Sequence, residues 1–188
     1  MATTLLGGIA RETVQGTQGG LLTFYATELS NITGTTSVSA GVATLHTGAS
    51  VWKQYVLGKE SGSNFTSTYA GNVQNGSGQY EQVLTAIFKR NSVSKRNELK
   101  VMGQNELVVV INDNDQPTSG GTTGNLYVIG LRVNNDYGGV NLTSGTVATG
   151  AQFADSNNMT VTLRALESHP PLAITAADYA KIVAGTAV

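Results

Sequence analysis

The chain has 188 residues, a length typical of one domain with its own hydrophobic core. Charged residues make up only 12% and the formal net charge is −1, so no global field attracts the protein to nucleic acid or to an anionic membrane. The absence of cysteine excludes disulfides, thiolate metal sites and cysteine nucleophiles. Gly, Thr, Ser and Asn together provide 76 of the residues, a composition that favours strands joined by turns.

The N-terminal part of the chain predicts strands separated by loops. Residues 1–20 are glycine-rich and predict an extended arm. Residues 21–29 alternate between apolar and polar side chains, as a half-buried strand does, and the apolar stretches 42–45 and 51–57 also predict strands. Residues 58–78 form the longest stretch of low hydrophobicity. We therefore expect a long loop there, either a surface loop or an arm that orders against a neighbouring subunit.

One helix is predicted, over residues 79–90. Apolar side chains recur there at i, i+3, i+4, i+7 and i+8, a spacing that places them in one stripe along a helix. Lys89 and Arg90 would lie in the last turn, where positive charge is favourable near the negative end of the helix dipole. So short a helix is marginal alone, so we expect it to pack against a sheet. The stripe consists of Tyr80, Val83, Leu84, Ile87 and Phe88.

The strands that follow have clearer patterns. The continuous apolar run at 106–111 predicts a central strand covered on both faces. Pro170 and Pro171 end the strand region, because proline lacks the N–H that a sheet requires. The C-terminal tail, 172–188, is alanine-rich and predicts a short helix around 176–184. Alternating strands are predicted at 127–133, 140–143 and 159–165.

These elements together predict the fold class and the domain organisation. Strands joined by short turns, with one helix between them, indicate a mainly β protein. We expect an antiparallel β-sandwich or barrel with one flanking α-helix at about 79–90, built as a single domain over residues 1–188. A β-rich surface with few charges lacks a main defence against edge-to-edge pairing, which favours self-assembly.

A search for catalytic and metal-binding motifs gives no candidate site. The sequence contains no nucleophile elbow and no phosphate-binding loop. His46 and His169 each lack a second ligand at metal spacing. Residues 113–115 resemble the start of a calcium loop, but Pro117 and Gly124 stand where ligands belong, so a hairpin loop is the better interpretation. We therefore expect no enzyme activity, no cofactor and no bound metal.

The chain has one cluster of basic residues. It has only Phe88 beside it, whereas nucleic-acid binding favours interleaved aromatic side chains or a wider basic face. Two interpretations remain, a solvated helix end with its loop, or a salt-bridge surface for a neighbouring subunit. The candidate subunit-contact residues are Lys89, Arg90, Lys95, Arg96 and Lys100.

The second half of the chain, about 79–171, resembles bacteriophage structural proteins in its pattern. The similarity is to the major tail proteins that build the tail tube of long-tailed phages. The resemblance implies a β-sandwich with a flanking helix, whose copies join sheet to sheet into six-fold rings that stack into a hollow tube for DNA passage. The sequence departs from that expectation in having no strongly acidic set to line the channel. The segments that carry the likeness are 80–88, 105–110, 126–130, 141–151 and 158–163.

We therefore expect a structural virion protein whose partners are copies of itself, other phage tail proteins and DNA that passes without sequence recognition. We expect synthesis in the host cytoplasm and a final place in the virion tail, with no membrane span because no apolar run approaches the roughly 18 residues required. The loop at 58–78 and both termini would be natural inter-subunit arms. One alternative is another virion component: a head–tail connector, decoration or minor capsid protein. A second alternative is a carbohydrate-binding β module, for which Trp52 and Tyr55 are the nearest aromatic pair.

Overall fold

A computed structural model describes residues 19–33, 37–49, 51–58, 61–72, 74, 77–113, 125–133, 138–150, 157–185 and 188. These residues are mainly β, as the sequence predicts, and they form eleven strands and two α-helices. The predicted arm at 1–20 lies outside them except for its last two residues. The elements are β1 (Leu21–Glu28), β2 (Ser37–Ser39), β3 (Val42–Thr44), β4 (Lys53–Val56), β5 (Asn64–Asn72), β6 (Ser77–Lys89), α1 (Val93–Met102), β7 (Leu107–Asp113), β8 (Leu126–Ile129), β9 (Asn141–Ala148), β10 (Asn158–Glu167), β11 (Leu172–Ile174) and α2 (Ala176–Ala184).

The strands form two sheets. The larger has seven strands in the order β2-β3-β11-β8-β7-β1-β4, and the smaller has four in the order β5-β6-β10-β9. Pairing is antiparallel throughout both sheets, except between β11 and β3. The prediction that Pro170 and Pro171 end the strand region is wrong, because β11 follows them directly and pairs with β8 and β3. The hairpin predicted around residues 113–115 is confirmed by the antiparallel pairing of β7 with β8, although most of its loop lies outside the described residues.

The main hydrophobic core lies between the two sheets. The seven-stranded sheet contributes Phe24 and Ile111, and the four-stranded sheet contributes Leu84 and Leu163, all fully buried. Fully burying a side chain of this size stabilises the fold by about 1.5–3 kcal/mol relative to leaving it exposed. Because each sheet buries one face in this core, the fold is a sandwich.

A second core covers the other face of the seven-stranded sheet. Val108 and Val110 point into it from β7, while their neighbours in sequence point into the first core. The helix α2 packs there through Tyr179 and Ile182. The central strand predicted at 106–111 is therefore confirmed, as is the helix predicted around 176–184, which begins after the capping residue Thr175. No helix among the described residues is long and apolar enough to cross a membrane.

The helix predicted at 79–90 is wrong, because this segment is the long strand β6. Every second side chain from Gln82 to Phe88 points into the core, which is the period of a strand and not of a helix. The alternation is hard to see in the sequence because a buried position holds polar Gln82, while Val83 and Ile87 lie on the opposite face. The buried positions are Gln82, Leu84, Ala86 and Phe88.

The loop predicted at 58–78 is also wrong over much of its length. Asn64–Asn72 forms β5, which pairs with β6 in one antiparallel hairpin. The stretch has low hydrophobicity because β5 is an edge strand whose side chains are mostly exposed, so little of it needs to be apolar.

This part of the chain does contain a helix, α1, which follows the turn after Lys89 and Arg90. Its capping residue Ser92 accepts a hydrogen bond from the backbone N–H of Lys95 at 3.3 Å. Leu99 lies so close to β9 that a Cβ atom placed on Gly145 would be 2.9 Å from its side chain. The Tyr55 hydroxyl of β4 donates a hydrogen bond to the Glu98 carboxylate at 2.5 Å. The helix α1 therefore closes the side of the sandwich that lies between β4 and β9.

Candidate functional site

The four-stranded sheet has two long exposed edges, β5 and β9. Neither strand contains a charged residue or a proline, and together they span Asn64–Asn72 and Asn141–Ala148. An edge strand presents unpaired N–H and C=O groups, and natural sheets protect such edges with charges, prolines, bulges or short strands. Of these features, β9 has a register shift against β10 at Thr143. In the part of the chain that the structure describes, no other strand pairs with the outer side of either edge. Both edges are therefore suited to pairing with another chain.

The edges of the seven-stranded sheet are less suited to pairing. The strand β2 has three residues and β4 has four, and β4 carries the exposed Lys53. Short edge strands and edge lysines both oppose strand addition. The contrast singles out the four-stranded sheet as the candidate surface for strand addition.

The outward face of the four-stranded sheet presents hydroxyl and amide groups in rows. One row runs straight across the sheet through Asn64, Thr85, Thr162 and Ser144, which are neighbours in the strand register. A second row pairs Thr160 with Thr146. Val83, Ile87 and Leu166 also lie on this face, so it mixes polar and apolar side chains without being strongly charged.

The charges on this face largely cancel. Arg164 Nε and Glu81 Oε1 form an ion pair at 2.5 Å, and both side chains are about 40% exposed, so solvent screens the pair. Lys89 lies at the end of β6. The face therefore carries no concentrated charge of either sign.

The predicted basic cluster divides into two parts. The Lys95 ammonium donates hydrogen bonds to the carbonyls of Lys89 at 2.6 Å and Arg90 at 2.9 Å, so it holds the turn between β6 and α1. Arg90 adopts a left-handed backbone (φ 66°), and its N–H donates to the Asn157 carbonyl at 2.7 Å. Arg96 and Lys100, in contrast, are exposed on α1.

A buried polar cluster ties the two sheets together. Glu167 of β10 is 3% exposed and accepts hydrogen bonds at 2.5 Å from the Gln82 side chain and from the Gly130 backbone N–H. Gly130 has φ +83°, and a Cβ atom there would lie 2.6 Å from the Leu107 carbonyl oxygen, so only glycine fits. His169 Nδ1 lies 3.5 Å from the same carboxylate. Because its hydrogen bonds join β6 and β10 to the end of β8, the cluster stabilises the contact between the two sheets.

The two aromatic side chains that the carbohydrate-binding alternative would use pack against the interior. Trp52 is buried in the second core and donates a hydrogen bond to Thr47 at 3.1 Å, whereas Tyr55 stacks on Phe24 at 4.6 Å beside the first core. The two rings therefore belong to different cores and form no shared exposed platform. Burial raises the pKa of Tyr55, and its hydrogen bond to Glu98 raises it further.

Tyr25 has a similarly perturbed pKa. Burial, followed by the proximity of Tyr179, raises it to about 12. The two rings meet edge to face at 5.7 Å between centroids. Both residues pack in the second core, so the raised pKa of Tyr25 reflects burial in the fold. Among the described residues, no group of three or more His, Cys, Asp or Glu side chains is placed to hold a metal ion.

Comparison with protein-family models, with curated proteins and with solved structures found no match. The candidate site therefore depends on the geometry of the two edges. Sequence reasoning missed β5 by assigning it to a loop and did not identify β9 as an edge. The signal that could have found them is the length of the charge-free, proline-free runs at 61–80 and 137–151.

Proposed function

We propose that this protein is a structural virion protein that self-assembles into stacked rings and so forms the tail tube of a long-tailed phage, a conduit for DNA. The observation that carries the proposal is the pair of long, charge-free edges on opposite sides of one four-stranded sheet. The sequence resemblance to major tail proteins supports it independently. Its partners would be copies of itself, other tail proteins and DNA, and its place would be the virion tail.

Two different edges favour a head-to-tail contact. If β5 of one copy pairs with β9 of the next, each copy uses one edge on either side, and the series closes into a ring when the rotation per copy permits. Because each of the three pairings from β5 to β9 is antiparallel, β5 and β9 run in opposite directions. The joint is then antiparallel and continues the pattern of the sheet, so no strand needs to reverse.

The same arrangement assigns the channel lining. In a closed ring of joined four-stranded sheets, we place the larger seven-stranded sheet on the outside, where the circumference is greater. The outward face with its rows of Thr, Ser and Asn then faces the channel. A face whose charges largely cancel gives DNA phosphates few cationic contacts, and such contacts dominate the affinity of proteins for DNA. Such a lining permits passage.

A lysine on the edge tests the proposal. Thr146→Lys places a charge on the edge strand β9 and should raise the concentration needed for assembly by roughly tenfold or more, because edge lysines oppose strand addition. Thr160→Lys is the matched control, since Thr160 is the cross-strand neighbour of Thr146 on the internal strand β10. Sedimentation velocity over a concentration series measures both. Equal assembly of the two variants, each folded by circular dichroism, would contradict edge pairing.

A further inference from the structure

The two sides of the sandwich are closed differently. The helix α1 covers the side between β4 and β9, with cavities of about 430 and 350 Å³ between it and β4. On the opposite side, between β5 and β8, no helix packs among the described residues, and an open cavity of about 540 Å³ is present. Phe65 and Tyr127 line it, with ring centroids 6.1 Å apart, and Asp113 lies at its margin. One side of each molecule therefore carries a helix, and the other offers a partly apolar recess with a carboxylate.

The outer face of α1 has the complementary chemistry. Val93 and Val101 are 64% and 46% exposed, and their spacing of eight residues places them on one face of α1. Arg96 and Lys100 lie on the same face at helical spacing. Neither cation forms an ion pair with any residue that the structure describes. The face therefore combines exposed apolar surface with two uncompensated positive charges.

We propose that the outer face of α1 in one copy packs against the cavity between β5 and β8 in the next copy of the ring. This inference rests on the proposed function, because joining β9 of one copy to β5 of the next brings the side that carries α1 against the side that carries the cavity. Val93 and Val101 would cover Phe65 and Tyr127. The same contact would bring Arg96 and Lys100 towards the Asp113 carboxylate.

In this contact the residues of the basic cluster have two different roles. Lys95 stabilises the turn within one molecule, while Arg96 and Lys100 act between molecules. Asp113 already accepts hydrogen bonds from the backbone and side-chain amides of Asn125, at 2.8 and 3.4 Å, so its carboxylate is held in place at the cavity. A carboxylate facing two cations gives specificity to the contact, since a wrong pairing would place like charges together.

Cross-linking between copies tests the contact, and the cysteine-free chain makes the experiment selective. Asn97→Cys marks α1 and Ser67→Cys marks the cavity, on opposite sides of one molecule. The two variants, tagged to differ in mass, are mixed under assembly conditions and treated with a short bis-maleimide. The matched control replaces Ser67→Cys with Ala180→Cys, an exposed position on α2. We expect at least about tenfold more mixed dimer from the test pair, because adjacency raises the effective concentration.

A charge variant gives a second readout. Asp113→Asn removes the charge and keeps a side-chain oxygen for the 2.8 Å hydrogen bond of the Asn125 backbone N–H, while the 3.4 Å bond from the Asn125 side chain loses its acceptor. With the variant shown to be folded by circular dichroism, it should raise the concentration needed for assembly about tenfold. Rings that form without excess cross-linking of the test pair, while Thr146→Lys still blocks assembly, would overturn this contact and leave the proposed function standing. If the unaltered chain forms no ring at all, both proposals fail.

Discussion

At the scale of single residues, the most constrained group in the molecule is the Glu167 carboxylate. It is buried, and its oxygens satisfy donors from two separate segments, Gln82 and Gly130. A buried donor that loses its acceptor costs about 1–3 kcal/mol. The carboxylate therefore has a structural role that follows directly from its partners.

Removing this carboxylate should destabilise the fold. Glu167→Ala leaves the Gly130 N–H without its acceptor and leaves the Gln82 amide only its 3.2 Å hydrogen bond to the His169 carbonyl, so we expect the free energy of unfolding to fall by roughly 3 kcal/mol. Glu81→Ala is the matched control, because Glu81 is half-exposed in a solvent-screened pair and should cost less than about 1 kcal/mol. Urea denaturation followed by the fluorescence of the buried Trp52 measures both. Similar losses for the two variants would show that the cluster does not lock the sheets.

At the scale of elements, the sequence predicts strands well where alternation is strong and fails where edge and core positions mix. The strands β1, β7 and β10 follow from their alternating or continuous apolar runs. The strand β6 could not be predicted in this way. Polar Gln82 occupies a core position and apolar Ile87 an outward one, so the apolar residues have the spacing of a helix. The partner that buries Gln82 is Glu167, 85 positions away, and no local pattern reveals it.

The two interpretations of β6 make opposite predictions for adjacent residues. Ala86 is fully buried in the strand but lies off the helical stripe, whereas Ile87 lies on the stripe and points away from the core. We expect Ala86→Lys to prevent folding, since an unpaired charge would enter the core. Ile87→Lys should cost no more than about 1–2 kcal/mol. Thermal unfolding by circular dichroism distinguishes them, and a folded Ala86→Lys beside an unfolded Ile87→Lys would contradict the strand.

The candidate assembly surface was only partly predictable. The low charge and the lack of defended edges are compositional, so the bias towards self-assembly is visible in the sequence. Which strands form the edges is not, because the order β5-β6-β10-β9 depends on pairings between distant segments. The division of the basic cluster also needed coordinates, since the hydrogen bonds of Lys95 arise from a turn that the predicted helix would not contain.

At the scale of the whole molecule, the fold is a sandwich with one covered and one exposed sheet. The seven-stranded sheet is buried on both faces, so its contribution is internal stability. The four-stranded sheet buries one face and leaves the other face and both edges exposed. In our account the first sheet supports the second, and the second joins neighbouring copies.

Imaging of the purified, unaltered chain tests this account most directly. Negative-stain electron microscopy over a concentration series shows whether copies form closed objects and whether these stack. We predict rings of uniform diameter with a central channel, and tubes of the same width as the concentration rises. Particles that remain monomeric at the highest concentration, or that associate into sheets and irregular aggregates with no channel, would contradict it.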